Sequence, residues 1–302
     1  MCPNSRSRRL LGVERGLQGR WSSRAVAGGE STRPPQGPEP GGRPPTALAY
    51  CTPVRDHIPS IEISGVRVAR LTPRGALEAI ADLAQTSPPV LVAHVNAHTL
   101  NLAAADDSYR KILNRAGLVL NDGKGIMLGA RLLSRPFPAD LNGNFFSPLQ
   151  LELAAERGWP VYFLGAKPGV AERAARIVAD RIPGLVVAGS RDGYFSADEE
   201  GSVAEEIRGT GAKVVLVGLG NPRQERWLAK WLGSTGAVVG VGVGAFFDFQ
   251  TGEVARAPDW MNRWGLEWVH RLAQEPTRMW RRYLVGNPRF LWRVLRARGP
   301  RG

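Results

Sequence analysis

Short apolar runs alternate with longer stretches of helical periodicity along most of this chain. Ile61-Glu62-Ile63 and Val66-Arg67-Val68 read as two short strands around a Ser64-Gly65 turn. A helix starting at Thr72 or Pro73 runs to Ala84. Residues 90–95 form a nearly all-apolar, β-branched run, the signature of a strand buried on both faces. That run leads into Asn96-Ala97-His98-Thr99-Leu100-Asn101, followed by a helix over 106–116 and an apolar strand over 118–120. A further helix is expected over 126–133, then a breaker at Arg135-Pro136-Phe137-Pro138 and a turn at Asn142-Gly143-Asn144. The pattern continues with a helix at 146–157, a strand at 161–164 ending at Gly165, a helix at 169–182 and a strand at 185–188. After the Asp192-Gly193-Tyr194-Phe195 turn come a helix at 198–208, a strand at 214–217, a helix at 223–232 and a strand at 238–243. Such alternation predicts a mostly parallel α/β sheet with helices on both faces. Ligands are then expected along the carboxyl ends of the strands, at Asn96, Asp122, Gly165, Gly193, Gly218 to Gln224 and Gly244.

The two ends of the chain differ in kind. Residues 1–56 are rich in Arg, Gly, Pro and Ser and carry too little apolar surface to offset the entropy of ordering. They read as a disordered basic arm or an over-extended start, with the globular core over 57–250. Residues 251–302 form an Arg- and Trp-rich appendage in which Trp260, Trp264 and Trp268 share one helical face. Pro258, Pro276 and Pro288 punctuate it into short helices. Two readings fit this pattern equally: a helix lying on an anionic membrane surface, or a helical appendage packing its Trp face on the core. The net charge of +13 comes mostly from arginine and calls for an anionic partner. Only Cys2 and Cys51 occur, which excludes a disulfide framework or a thiolate metal cluster. No apolar run approaches the ~20 residues of a membrane span, and no secretory leader is recognisable. A cytoplasmic location is therefore expected.

The chemistry is expected around Asn121-Asp122-Gly123-Lys124-Gly125, where an apolar strand passes through an Asp and two glycines into a helix. Glycines permit close ligand approach, and the free N–H groups of the following helix favour an anion. Asp before Gly is ordinarily a cap or turn residue, so this stretch needs support from the rest of the chain. Several chemistries are excluded. There is no Gly-x-x-x-x-Gly-Lys-Ser/Thr loop, and Gly218-x-Gly220 lacks its third glycine at Arg223. His94 and His98 are spaced i, i+4 but straddle a strand end, so they do not form a helical metal pair. Neither Asp-x-Asp nor Gly-x-Ser-x-Gly is present. A sheet edge bearing Asn96, Asp122, Asn142 and Gln224, with a cationic tail, suits a phosphate-bearing ligand handled without a metal. One carboxylate would act as general base and arginines would neutralise a leaving diphosphate.

The ordered set Val95-Asn96-Ala97, Asn121 to Gly125, Gly193-Tyr194-Phe195, Gly218 to Trp227, Gly242 to Phe249, Arg256-Ala257-Pro258, Leu266 to Arg271, Glu275-Pro276 and Arg281-Arg282-Tyr283 resembles the WecG/TagA/CpsF glycosyltransferase family. The resemblance spans about residues 58–290. It implies a Rossmann-like core that moves a sugar, commonly of the N-acetylmannosamine type, from a UDP-sugar to a polyprenyl-diphosphate-linked sugar in cell-surface polysaccharide synthesis. It also implies an inverting reaction with no metal and no cofactor, and Asp122 as the base. Substrate contacts carried by the same resemblance and the strand-end rule are Asn96, His94, Asn142, Gly165, Gly193, Tyr194, Gly218, Gly220, Gln224 and Glu225. From the tail come Arg256, Arg271, Arg278, Arg281 and Arg282, with peripheral attachment to the cytoplasmic face of the plasma membrane. Members of the family can self-associate, so a homo-oligomer is among the expected partners; nucleic acid is not.

Two departures mark this chain. His94 stands where many members have Thr, and Asp140 and Phe145 stand where many have Arg and Asp. Both departures bear on which sugar is handled. Competing readings are a nucleotide-dependent oxidoreductase on a Rossmann-like fold, disfavoured by the missing fingerprint, and a basic nucleic-acid-binding protein, which lacks any recognised motif.

Overall fold

The computed structural model describes residues 57–255, 257–258, 261, 264 and 267–297. The arm at 1–56, and Arg256, Trp260 and Arg263 of the tail, lie outside the described residues, as does the side chain of Arg278.

The core is a six-stranded parallel sheet. Numbered along the chain after an antiparallel hairpin of β1 (Ser60–Ile63) and β2 (Val66–Ala69), its strands are β3 (Val90–Val95), β4 (Leu118–Asn121), β5 (Val161–Gly165), β6 (Val187–Arg191), β7 (Val214–Gly218) and β8 (Val239–Gly242). Their spatial order is β4-β3-β8-β7-β5-β6. The order turns back between β3 and β8, the kind of switch point where strand ends diverge and leave a crevice.

Alternation along each strand divides the core into two layers. Leu91, Ala93 and Val95 of β3, Tyr162 and Leu164 of β5, and Val215 and Val217 of β7 face one layer. Val90, Val92, Val161, Phe163, Val214 and Leu216 face the other. The first layer is closed by the hairpin and by α2 (Ala97–Ala105), α3 (Asp107–Arg115), α4 (Lys124–Leu132), α7 (Glu200–Gly209) and α8 (Arg223–Trp231). The second is closed by α1 (Pro73–Thr86), α5 (Gly143–Glu156), α6 (Val170–Arg181) and the short α9 (Phe246–Thr251). Strands buried on both faces explain why these runs are continuously apolar.

Beyond the core, α10 (Glu267–Gln274) is followed by α11 (Pro276–Trp280), a π-helical turn at Arg281–Val285 and α12 (Gly286–Ala297). The last three are continuous, so Pro288 does not end a helix here. Pro288 has no N–H to offer the carbonyl four residues back, and the widened turn just before it absorbs that mismatch. Phe290 and Val294 of α12 are buried in the first layer. A Cβ on Gly129 of α4 would lie 2.8 Å from Phe290 Cζ, so that glycine is what lets the two helices approach. Asn101 of α2 ties down the same helix, donating to the Gly286 carbonyl at 2.7 Å and accepting from Arg293 Nη1 at 2.8 Å.

Two helices were not anticipated from the sequence, α2 and α9. The strand expected at 185–188 is shifted to Val187–Arg191, where it forms an exposed edge with a register irregularity against β5.

Candidate active site

The carboxyl ends of the strands open into one cleft of about 1830 Å³. Asp122 lies on its lining just past β4. Its backbone N–H donates to the Val95 carbonyl at 2.9 Å, which fixes it against the end of β3. Its carboxylate accepts from Asn96 Nδ2 at 2.9 Å. Asn96 is itself held, because its Oδ1 caps α2 by accepting from the N–H groups of His98 and Thr99, both at 3.1 Å. One side chain thus starts a helix and aims the carboxylate.

The turn after Asp122 is stitched to the segment before α5. Asn121 Nδ2 donates to the Ala139 carbonyl at 2.9 Å. Gly123, at φ +85°, donates its N–H to Asp140 Oδ1 at 2.9 Å. His94 Nδ1 lies 3.0 Å from the Leu141 carbonyl. Asn142 caps α5, accepting from the Phe145 N–H at 3.1 Å. Asp140 is a second carboxyl beside Asp122. Burial raises its pKa, the Asp122 charge adds to that, and the Gly123 N–H opposes it.

Across the β7–β8 end, Gln224 accepts from the Gly244 N–H at 3.0 Å and donates to Glu225 at 2.7 Å. Glu225 is fully buried and also accepts from Tyr109 Oη at 3.0 Å and Asn221 Nδ2 at 2.6 Å. Burial outweighs these donors and pushes the carboxyl up to about 7. Arg223 stacks on Phe195, 4.9 Å from the ring centre, and donates to the carbonyls of Gly193 and Phe195 at 3.1 and 2.9 Å. It thereby joins the loop after β6 to the loop after β7.

Most of the cations come from the tail. Arg271, Arg281, Arg282 and Arg289 line the cleft with Trp268, Trp280 and Tyr283, beside Lys124, Lys167 and Arg223 of the core. Arg271 lies over Phe249, 5.1 Å from the ring centre. His98, at the start of α2, is held down at about 4, first by burial and then by the nearby Arg282 charge. Four tail arginines and the α2 and α4 N-termini therefore share a cleft with one oriented carboxylate, an arrangement suited to a diphosphate beside an attacking hydroxyl.

Of the residues named from the sequence, Asp122, Asn96, His94, Asn142, Gly193, Tyr194, Gly218, Gly220, Gln224, Arg271, Arg281 and Arg282 line this cleft. Gly165 and Glu225 do not; they sit behind its wall. A Cβ on Gly165 would lie 2.5 Å from the Gly218 carbonyl oxygen, so that glycine serves close packing of β5 on β7. Glu225 acts on the cleft through Gln224 and Asn221. Arg256 and the Arg278 side chain fall outside the described residues. Sequence reasoning missed His98, Asn101, Asp140 and Lys124 as lining residues. The adjacency of the first two to Asn96 was the available signal. Among the described residues no cluster of His, Cys, Asp or Glu is arranged to hold a metal ion, and no helix is long and apolar enough to cross a membrane.

Comparison with known proteins bears directly on this cleft. The family model described as the glycosyl transferase WecG/TagA/CpsF family matches residues 61–301, so it takes in the tail as well as the sheet. The chain is 34% identical over 195 residues to the N-acetylglucosaminyldiphosphoundecaprenol N-acetyl-beta-D-mannosaminyltransferase of Bacillus spizizenii, covering 64% of this chain and 74% of the relative. It is 30% identical over 206 residues to the protein of the same name from Bacillus subtilis, covering 68% and 79%. The chain belongs to the WecG/TagA/CpsF family and is a glycosyltransferase.

Proposed function

We propose that this enzyme transfers an N-acetylmannosamine-type sugar from a UDP-sugar to a polyprenyl-diphosphate-linked sugar, with inversion and without a metal, for a cell-surface polysaccharide. The observation that carries this reading is the Asp122 carboxylate, aimed by Asn96 within a cleft also lined by Arg271, Arg281 and Arg282. Both relatives are named for an acceptor built on a diphosphoundecaprenol and for a mannosaminyl donor group.

In this reading the acceptor hydroxyl approaches the anomeric carbon from the face opposite the diphosphate. Asp122 takes the hydroxyl proton as the new C–O bond forms, and the old bond to the diphosphate oxygen breaks with its electron pair leaving on UDP. The arginines lower the barrier by neutralising the charge that grows on that oxygen. Arg256 and Arg278 are further candidates for the same role.

The substrate's lipid tail calls for a membrane surface, and the tail of the chain offers a match. Trp264, Trp280, Leu284, Trp292 and Leu295 are exposed large apolar side chains set among arginines. Such a mixture suits peripheral attachment to an anionic leaflet at the cytoplasmic face. Self-association on the membrane is part of the same reading.

The test is a donor screen. Purified protein in detergent, with a synthetic polyprenyl-diphosphate N-acetylglucosamine acceptor, is given a panel of UDP-sugars with and without EDTA. EDTA-resistant transfer from one donor to the lipid is the expected result. Transfer abolished by EDTA, or UDP release with no lipid product, would overturn the mechanism.

A further inference from the structure

His94 is only 6% exposed, yet it lines the cleft. Its ring orientation is fixed by the 3.0 Å contact between Nδ1 and the Leu141 carbonyl. A carbonyl only accepts, so Nδ1 carries the proton and Nε2 is a bare acceptor in the neutral ring. Burial keeps the ring neutral at pH 7, although the Asp122 charge and the Leu141 contact pull the other way. Nε2 is buried and has no hydrogen-bond partner among the described residues. A buried acceptor without a donor is costly and calls for an explanation.

The surroundings narrow the explanation. Phe146, 6.1 Å away between ring centres, packs on the imidazole and offers no donor. No metal-holding cluster includes His94 among the described residues. The charged groups facing this part of the cleft are Asp122, Asp140 and Lys124, and only Lys124 can donate; its Nζ lies 3.7 Å from Asp140. His94 precedes Asn96 by two positions on the same strand end, so its ring sits in the same corner as the oriented carboxylate.

We propose that His94 Nε2 accepts a hydrogen bond from a hydroxyl or amide N–H of the acceptor sugar held over Asp122, and so selects that sugar. The inference rests on the reading of Asp122 as the base for the acceptor hydroxyl. A site built to accept such a bond rejects analogues lacking the donor group, because Nε2 is then left unpaired.

The experiment compares wild type, His94→Asn and His94→Gln in detergent, with donor saturating and acceptor varied, alongside thermal melts. Asn keeps an amide N–H near the Nδ1 position; Gln places an amide oxygen near Nε2. His94→Asn is expected to raise the acceptor KM roughly tenfold, the scale of one lost hydrogen bond, with the donor KM and melting temperature little changed. His94→Gln is expected to recover most of that loss. On wild type, acceptors each lacking one hydroxyl or the N-acetyl group should include one that loses a similar factor, and His94→Asn should be indifferent to that change. An unchanged acceptor KM in His94→Asn, a rise confined to the donor KM, or a lowered melting temperature with normal kinetics would each overturn the assignment. Should His94→Asn not fold, uniform tolerance of every acceptor analogue by wild type would overturn it equally. Absence of wild-type turnover with any acceptor would instead sink the proposed function on which this assignment stands.

Discussion

Asn96 Nδ2 donates to Asp122 Oδ2 at 2.9 Å, while Asn96 Oδ1 caps α2. The two ends of one amide therefore do different jobs. The oxygen satisfies backbone donors at the start of a helix, and the nitrogen holds the carboxylate at the end of the neighbouring strand. Because β3 and β4 are paired with Val95 opposite Asn121, the residues that follow them fall side by side.

That division can be separated by substitution. Ser is as good a helix cap as Asn, but its hydroxyl is too short to reach the Asp122 carboxylate while it caps the helix. Asn96→Ser should therefore melt close to wild type while kcat falls by about 10²-fold or more, the scale of general-base assistance. Asp122→Asn should lose a similar or larger factor and still bind UDP in calorimetry. Near-normal kcat in Asp122→Asn would remove Asp122 from the role of base, and near-normal kcat in the Asn96 variant would show that the carboxylate does not need Asn96 to aim it.

Glu225 predicts a pH-dependent stability. The carboxyl, ordinarily near 4.5, is raised to about 7 in the folded chain, chiefly by burial. Between those values the folded state keeps a proton that the unfolded state has lost. Its contribution is fully present below about 4.5, falls as pH rises toward about 7, and is constant above that. The size is on the order of 3 kcal/mol, at about 1.4 kcal/mol per pKa unit. Glu225→Gln cannot titrate, so the difference in melting temperature between wild type and variant should change across this window and flatten above it. Parallel curves from pH 4.5 to 8 would mean that Glu225 is ionised when folded.

Much of this arrangement is legible in the sequence, for physical reasons. Strands buried on both faces must be continuously apolar, so 90–95, 161–164 and 214–217 announce themselves. Asp122 announces itself through its flanking glycines. By contrast, α2 reads Ala-His-Thr-Leu-Asn-Leu-Ala-Ala-Ala, and both the sheet and α12 cover it, so it lacks one polar face. The short, aromatic-rich α9 lacks periodicity for its length. Asn142 reads as a turn residue because capping residues and turn residues are the same few types. Glu225 could not be told from a cleft residue, since its neighbour Gln224 lines the cleft and only the helix rotation decides which side each faces.

Arg282 and His98 offer a spectroscopic test of where the tail sits. His98 is held at about 4 by burial first and by Arg282 second. In Arg282→Gln the His98 pKa should rise, yet stay below 6.5 because the burial remains. Titration of the His98 ring signals by NMR reads this directly. An unmoved His98 would place Arg282 away from the α2 N-terminus in solution.

Gly129 tests the docking of α12 through the sign of one substitution. In an exposed helix, Gly to Ala stabilises by roughly 1 kcal/mol. On α4 the added Cβ would lie 2.8 and 2.9 Å from Phe290 ring carbons and 3.5 Å from Val294 Cγ2. Forcing that ring aside costs about 1–3 kcal/mol, which outweighs the gain in helix propensity. Gly129→Ala should therefore lower the melting temperature. It should also reduce kcat, since α12 is continuous with the π turn that brings Arg281 and Arg282 to the cleft. Adding Phe290→Leu should relieve the clash and restore part of both. A Gly129→Ala protein that melts higher and keeps full activity would show that α12 does not pack on α4 in the working enzyme.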